Sequence, residues 1–229
     1  MKYLIIIPAR GGSKGIPRKN VVALNNIPLI GHTIKVALEV ASLVNDVHAI
    51  VSTDDEDIKQ LSIELGIDAP FSRPEKISDD FSSSIEYVNH AIKFFSSKGS
   101  CPENVIILQP TSPLRTTQDV LSAIELFSTC DGSSLISAYE DNTINEKIMY
   151  TLRGRLGIPL SLSHNAGSRR QDDSAVLIRN GAIYITNVHY LKDSGLLVSE
   201  EPIIFVMPKS RSINIDTPED LMMAKKLLV

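Results

Sequence analysis

Residues 3–15 read YLIIIPARGGSKG and place a predicted strand directly before a loop rich in glycine and basic residues. The apolar, isoleucine-rich run at residues 3–7 is typical of a strand that is buried on both faces. Pro8 ends this run, because proline lacks the amide hydrogen that a strand ladder requires. Glycines at positions 11, 12 and 15 allow a tight turn whose backbone amides can face an anion.

The composition is that of an ordinary globular protein able to bury a core. The chain has 229 residues, of which 43% are hydrophobic and 22% charged, with a net charge of -4. This acidic balance argues against nucleic acid or an anionic membrane as the main partner. Cys101 and Cys130 offer neither a disulfide framework nor zinc spacing, so we expect buried or incidental thiols in a cytoplasmic protein.

The chain alternates between strand and helix patterns. Apolar runs predict strands at residues 3–7, 47–52, 67–71, 105–108 and 134–137, and later at 182–186 and 203–206. Helical spacing predicts helices at residues 30–40, 55–65, 83–95 and 119–127, and a last helix from Pro218 with Thr217 as N-cap. The order predicts an α/β protein with a mainly parallel, twisted sheet and helices on both faces.

The periodic pattern is lost between residues 141 and 179. This polar, turn-rich stretch is too long for an ordinary connection. We therefore expect an α/β domain formed by residues 1–140 and 180–229, with residues 141–179 inserted as a lobe, a lid or a dimerisation arm.

Four basic side chains lie within the loop that follows the first strand, at Arg10, Lys14, Arg18 and Lys19. A triphosphate would explain this concentration in an acidic protein, and a solvated basic turn is the alternative. The loop is neither a Walker A motif nor a G-x-G-x-x-G motif, because its glycines are differently spaced.

Four collinear segments resemble motifs of the acylneuraminate cytidylyltransferases, the CMP-sialic acid synthetases. They are IPARGGSKG with KN (residues 7–15 and 19–20), LQPTSPLR (108–115), RQ with NGAIYI (170–171 and 180–185), and INIDTPEDL (213–221). The resemblance covers nearly the whole chain. It implies a Rossmann-like fold of the nucleotide-diphospho-sugar transferase type.

The resemblance implies a role for each matching residue on the nucleotide side. The triphosphate is assigned to basic side chains and loop amides, namely Arg10, Lys14 and Lys19 with Gly11, Gly12 and Ser13. Asn20 would bond the ribose, and Arg73 and Ser83 would read the cytosine and its surroundings. For both Arg73 and Ser83, a position without a binding role is an equal alternative, since Arg73 precedes Pro74 in an otherwise unremarkable loop.

On the sugar side, the resemblance places Gln109 close to the transfer site. Arg170 would hold the sugar carboxylate, with Gln171 beside it and Lys147 assisting. Tyr184 would pack on the sugar, although a core tyrosine is the alternative.

The resemblance also implies the reaction. The anomeric hydroxyl of a nonulosonic acid attacks the α-phosphorus of CTP, and pyrophosphate departs. Mg²⁺ would be anchored by Asp216, with Asn214 in the place where the family usually carries a first aspartate. The implied catalytic residues are Arg10, Lys19, Gln109 and Asp216.

Other functions stay open at this point. The acceptor could be a sialic acid, or legionaminic, pseudaminic or 3-deoxy-octulosonic acid, and Lys19-Asn20 speaks against the last. A CTP-binding module without catalysis is a second class, and a dinucleotide-dependent oxidoreductase a third. In the resembling family the lobe packs across a twofold axis, so we expect a homodimer.

Overall fold

The fold is built on a central sheet with helices on both faces. The computed structural model describes residues 1–165 and 176–228. The strands are β1 (Tyr3–Pro8), β2 (Ala23–Leu24), β3 (Ile27–Pro28), β4 (Val47–Ser52), β5 (Asn104–Ile107), β6 (Ser134–Asp141), β7 (Tyr150–Arg153), β8 (Leu156–Pro159), β9 (Val176–Asn187) and β10 (Ile203–Val206). The helices are α1 (Leu29–Leu43), α2 (Glu56–Glu64), α3 (Ser84–Ser97), α4 (Thr117–Thr129), α5 (Val188–Ser194) and α6 (Pro218–Leu227).

Six strands form the main sheet in the order β10-β6-β9-β5-β1-β4. Strand β1 lies parallel to β4 and β5, with Ile6 opposite Ile50 on one side and Ile107 on the other. Strand β9 runs antiparallel to both of its neighbours, β5 and β6. The mainly parallel sheet expected from the sequence is therefore confirmed, with one antiparallel strand at its centre.

Successive residues of β1 point to opposite faces, and each face has its own core. Ile5 and Ile7 belong to a cluster with residues of α1 and α4, whereas Leu4 and Ile6 pack with residues of α3 and α5. All four of these side chains are fully buried. This explains why the strand reads as a continuous apolar run.

The predicted helices and all but one of the predicted strands are present. The strand expected at residues 67–71 is wrong, because this segment forms only isolated parallel bridges to β4, at Ile50–Asp68 and Thr53–Ser72. The two cysteines are also not buried, since both thiols are exposed and free. None of the described helices has the length and apolar character needed to cross a membrane.

The inserted stretch predicted from residue 141 onward, which has no periodic sequence pattern, begins as a continuation of the sheet. Strands β6 and β9 pair as far as Asp141 and Val176, and β7 and β8 form a separate hairpin beyond them. Every residue of β7 is exposed. A hairpin without a buried face has no core-facing pattern, so the sequence did not reveal it.

A buried arginine joins three parts of the fold. Arg115 is 3% exposed and donates to the carbonyl oxygens of Gln109 at 3.2 Å and Ala182 at 2.7 Å. Its second terminal nitrogen donates to Thr33 Oγ1 at 2.8 Å. Burial lowers the pKa of this guanidinium to about 9, so it is charged at neutral pH. The loop after β5, strand β9 and helix α1 are thus held by one side chain.

We predict that Arg115→Leu lowers the free energy of unfolding by about 2–4 kcal/mol, because three acceptors lose their donor in a buried place. Urea unfolding measures the difference. Arg155→Leu is the matched control, since Arg155 lies exposed in the turn between β7 and β8. Equal losses in the two variants would contradict a structural role specific to Arg115.

Candidate active site

A cleft of about 700 Å³ opens at the carboxyl ends of β1 and β5. This is the edge of the sheet where ligands bind in open α/β folds. Among the residues that line it are Pro8, Arg10, Ser13, Lys14, Gly15, Lys19, Asn20, Arg73, Asp80, Ser82, Ser84, Tyr87, Gln109, Thr111, Asn214 and Asp216. The structure therefore brings together basic loop residues and the Asn214–Asp216 region, which lie about 200 positions apart in the chain.

Two of the predicted phosphate-binding cations share one carboxylate. Asp80 lies 2.6 Å from Arg10 Nη2 and 2.5 Å from Lys14 Nζ. Hydrogen bonds from Lys14 and Arg10 hold the pKa of the Asp80 carboxyl below its usual range. An anionic ligand that used both cations would have to replace Asp80. The sequence did not indicate Asp80, because a carboxylate gives no local signal for an anion site.

The glycine loop is packed closely against the segment that follows β4. The Gly11 amide donates to Asp54 Oδ1 at 3.2 Å, so it faces a carboxylate and not the cleft. A Cβ on Gly11 would also lie 2.5 Å from Asp55 Oδ2. Gly12 has open space around it, and Ser13 lines the cleft. Without a ligand the Gly11 amide is thus bonded to Asp54, and the binding of an anion by the three loop residues stays a prediction.

Lys19 ties the loop to the distant segment that carries Asp216. Its Nζ donates to Asp216 Oδ1 at 2.9 Å and to the Ile215 carbonyl at 2.8 Å. Asn214 Nδ2 donates to the other oxygen, Asp216 Oδ2, at 2.5 Å. The backbones meet closely here, since a Cβ on Gly15 would overlap the carbonyl oxygen of Asp216.

The oxygen atoms of this segment fit a hard cation. Asn214 Oδ1 is buried without a hydrogen-bond partner among the described residues, and Asp216 presents a carboxylate that is largely exposed to the cleft. Mg²⁺ takes one or two such ligands and completes its shell with phosphate oxygens and water. Within residues 1–165 and 176–228, no cluster of three or more acidic, histidine or cysteine side chains is placed to hold a metal alone.

Asn20 is buried at the base of the cleft. Its Nδ2 donates to the carbonyl oxygen of Arg10 at 3.0 Å, which fixes the loop between them. The residue also lines the cleft, as a ribose contact requires.

One end of the cleft is formed by Arg73 and Tyr87, with Asp54 bonded to Arg73. Arg73 is 5% exposed, its Nη2 donates to Asp54 Oδ1 at 3.3 Å, and its guanidinium lies 5.6 Å from the Tyr87 ring centroid. Burial lowers the pKa of Arg73, and the adjacent Asp54 opposes this effect. Burial also raises the pKa of Tyr87 to about 12. The same Asp54 oxygen accepts from Gly11, so it couples this end to the glycine loop.

Ser83 serves mainly to start helix α3. It is the N-cap residue, and its amide donates to Glu86 Oε2 at 2.7 Å in a capping box. The residues on either side of it, Ser82 and Ser84, line the cleft. The predicted position, Ser83, is therefore adjacent to the serines that line the cleft.

A second cavity of about 380 Å³ adjoins the cleft and shares Gln109 and Asn214 with it. Tyr184 lines this cavity, and burial raises the pKa of its hydroxyl. Gly181 lies beside Gln109, where a Cβ would come within 3.0 Å of Gln109 Oε1, and its φ of +75° favours glycine. Gln109 and Tyr184, which the sequence analysis assigned to the sugar, therefore meet at one place.

The remaining sugar-side residues are not brought to the cleft by the described part of the chain. Lys147 lies in the short 3₁₀ helix Glu146–Ile148 of the inserted stretch. Arg170 and Gln171 fall outside the described residues, so their predicted roles stay predictions. Asp54, Asp80 and Arg179 line or support the site and were missed. A usable signal existed for Asp54, which lies two positions after the predicted strand at 47–52, close to where Gln109 lies after its own strand.

Relatives of known activity match the chain along nearly its whole length. The Campylobacter jejuni protein named "Pseudaminic acid cytidylyltransferase" is 33% identical over 227 residues, covering 99% of this chain and 96% of the relative. The Streptococcus agalactiae "N-acylneuraminate cytidylyltransferase" is 33% identical over 222 residues, covering 96% of this chain and 52% of the relative. The Legionella pneumophila "CMP-N,N'-diacetyllegionaminic acid synthase" is 31% identical over 239 residues, covering 97% of its length.

A solved structure supports the fold. The CMP:2-keto-3-deoxy-manno-octonic acid synthetase complexed with CTP superposes with a TM-score of 0.71 at 19% identity, covering 100% of this chain and 98% of the other. The sequence model of the family described as cytidylyltransferase matches residues 4–133. The resemblance drawn from the four motifs is thereby confirmed, and the chain belongs to the cytidylyltransferase family.

Proposed function

We propose that the chain transfers CMP from CTP to the anomeric hydroxyl of a sialic-acid-type nonulosonic acid, giving a CMP-sugar and pyrophosphate. The observation that carries this proposal is the pair of cavities joined at Gln109 and Asn214. One cavity is lined by several cations, and the other is smaller and, among the described residues that line it, has one arginine as its single charged side chain. A nucleotide and an acceptor can therefore meet at their junction. The names of the relatives point to the same class of acceptor.

The cleft residues support the nucleotide step by position and charge. Arg10, Lys14 and Lys19 would hold the triphosphate and offset the charge that develops as pyrophosphate leaves. Arg73, held by Asp54 and Tyr87, would bond the cytosine at the far end. Gln109 would orient the acceptor hydroxyl toward the α-phosphorus. The bond between the sugar oxygen and the α-phosphorus forms as the bond from that phosphorus to the α,β-bridging oxygen breaks, pyrophosphate leaves with the bridging oxygen, and the hydroxyl proton passes to solvent.

Several acceptors of this class compete. N-acylneuraminate is our proposed acceptor, and pseudaminic and legionaminic acids are the alternatives that the relatives' names also support.

Because CTP is a cytosolic metabolite and both thiols are free, we place the reaction in the cytoplasm. A CTP-binding module without catalysis is the alternative of a different class.

We expect pyrophosphate release from CTP with at least one nonulosonic acid, and little with ATP, GTP or UTP, because the base is read by fixed hydrogen bonds. The assay compares N-acetylneuraminic, pseudaminic, legionaminic and 3-deoxy-octulosonic acids with each nucleotide. Binding of CTP without release for any acid would support the non-catalytic module. Comparable turnover with UTP would contradict the assigned nucleotide.

We further propose that Asp216 and Asn214 hold Mg²⁺ through the Asp216 carboxylate and the unpaired Asn214 Oδ1. When bound, the ion would neutralise phosphate charge and polarise the α-phosphoryl group. Lys19 would keep Asp216 in place through its bond to Oδ1. Asn214 supplies only a neutral oxygen, so one carboxylate anchors the ion.

We predict that Asp216→Asn reduces kcat by at least about 100-fold with an unchanged fold, as expected when a charged group that acts on the transition state is lost. Asn214→Asp adds a second carboxylate and should lower the Mg²⁺ concentration needed for half-maximal activity. A metal titration of both variants, with circular dichroism as the folding check, measures these effects. Wild-type activity in Asp216→Asn would refute the metal assignment.

We also propose a homodimer in which the stretch at residues 141–179 completes the partner's sugar site. The described part of this stretch exposes several large apolar side chains, with Leu152 78% and Leu156 70% exposed. Apolar side chains that project in this way favour burial against another surface. A second copy of the chain would supply that surface by twofold symmetry.

Light scattering should give a mass of twice 25.1 kDa. The double variant Leu152→Glu, Leu156→Glu should become monomeric and raise the sugar KM, because charges are disfavoured in an apolar interface. Leu43→Glu is the matched control, since Leu43 is 66% exposed at the end of α1 and should leave the mass unchanged. A fully active wild-type monomer would contradict the dimer.

A further inference from the structure

The second cavity has a distinct electrostatic character. Among the described residues that line it, Arg179 carries the one formal charge, and no carboxylate faces it. The cavity meets the nucleotide cleft at Gln109 and Asn214, so it lies on the acceptor side of the site. A cavity with a single cation and no carboxylate favours an anionic group.

The neighbouring cations differ from Arg179 in having carboxylate partners. Lys209, which approaches the Tyr139 ring on the same side, is bonded to Asp141 at 2.7 Å. In the nucleotide cleft, Lys19 is paired with Asp216 and Arg10 with Asp80. Among the described residues, the Arg179 guanidinium instead lies over the face of an aromatic ring.

That ring belongs to Tyr184, whose centroid lies 6.0 Å from the Arg179 guanidinium carbon. Both residues line the second cavity and a smaller neighbouring one of about 260 Å³, together with Gln109. A cation over a ring is attracted to its face and loses part of its conformational freedom. The ring leaves the terminal nitrogens of the guanidinium available, so they can form a bidentate pair with a carboxylate.

The chemistry of the acceptor supplies that carboxylate. In a nonulosonic acid, the carbon that bears the attacking hydroxyl also bears the C1 carboxylate. When the hydroxyl faces the α-phosphorus at the junction of the cavities, the carboxylate must lie within one or two bonds of the junction. It also carries a negative charge close to the triphosphate, so a local cation is needed to offset the repulsion.

We propose that Arg179 binds the C1 carboxylate of the acceptor and selects acidic sugars, an inference that rests on the proposed function. Tyr184 holds the guanidinium in place, and Gln109 contacts the acceptor beside it. This adds a cation from the same subunit to the one predicted at Arg170. The alternative is that Arg179 has no role in binding and is a solvated side chain on an exposed part of β9.

The test uses the most active acid of the panel as substrate and its C1 methyl ester as a competitor. Arg179→Gln should raise the sugar KM by about 10- to 100-fold, the range of a lost charged hydrogen bond, with the CTP KM changed less than about twofold. Wild-type enzyme should prefer the acid over the ester by a similar factor, and the variant should lose most of this preference, keeping only the part that the predicted Arg170 contact supplies. Arg179→Lys should keep part of this preference, because the charge remains without the fork.

Lys93→Gln is the matched control, since it removes one positive charge from an exposed place on helix α3. It should leave both KM values and the preference for the acid unchanged. The proposal is overturned if Arg179→Gln retains the wild-type preference for the acid, or if it raises both KM values equally. Failure of the proposed function is recognised separately, because the wild-type enzyme would then release no pyrophosphate with any acid of the panel.

Discussion

The buried guanidinium of Arg115 is the interaction on which the geometry of the site depends. It bonds the Gln109 and Ala182 carbonyls and the Thr33 hydroxyl, which belong to three separate elements. These bonds fix the loop after β5 against strand β9. Because Gln109 and the glycine turn of β9 meet there, the same bonds set the junction between the two cavities. Desolvation of the charge is offset by carbonyl dipoles and by the nearby Asp119.

The second general feature is the pairing of nearly every cleft cation with a carboxylate. Asp80 holds Arg10 and Lys14, Asp216 holds Lys19, and Asp54 holds Arg73. Such pairs keep long side chains ordered before a ligand binds, so less conformational entropy is lost on binding. They also explain how an acidic protein presents a site for an anion. A triphosphate that used both Arg10 and Lys14 would have to replace Asp80 as their partner.

Strand β9 connects the central sheet to the second cavity. It runs antiparallel between β5 and β6, and its residues Arg179, Gly181 and Tyr184 line the second cavity. Its early part pairs with the end of β6 and so supports the inserted stretch. A strand in the interior of the sheet thus also lines the second cavity. One strand therefore both lines the second cavity and supports the start of the inserted stretch.

The sequence by itself determined the α/β class, most strands and helices, the basic glycine loop and the family, because these depend on local periodicity and on contiguous motifs. It also indicated Gln109, Asn214 and Asp216 by their places in those motifs. Only the tertiary structure decided that Asp80 pairs with Arg10 and Lys14, that Asp54 supports Arg73, and that Arg179 lines the second cavity. These relations join residues on different elements, and no spacing within one segment encodes them. The direction of β9 was likewise decided by pairing with two distant strands, because the apolar pattern of a strand does not indicate whether it runs parallel or antiparallel to its neighbours.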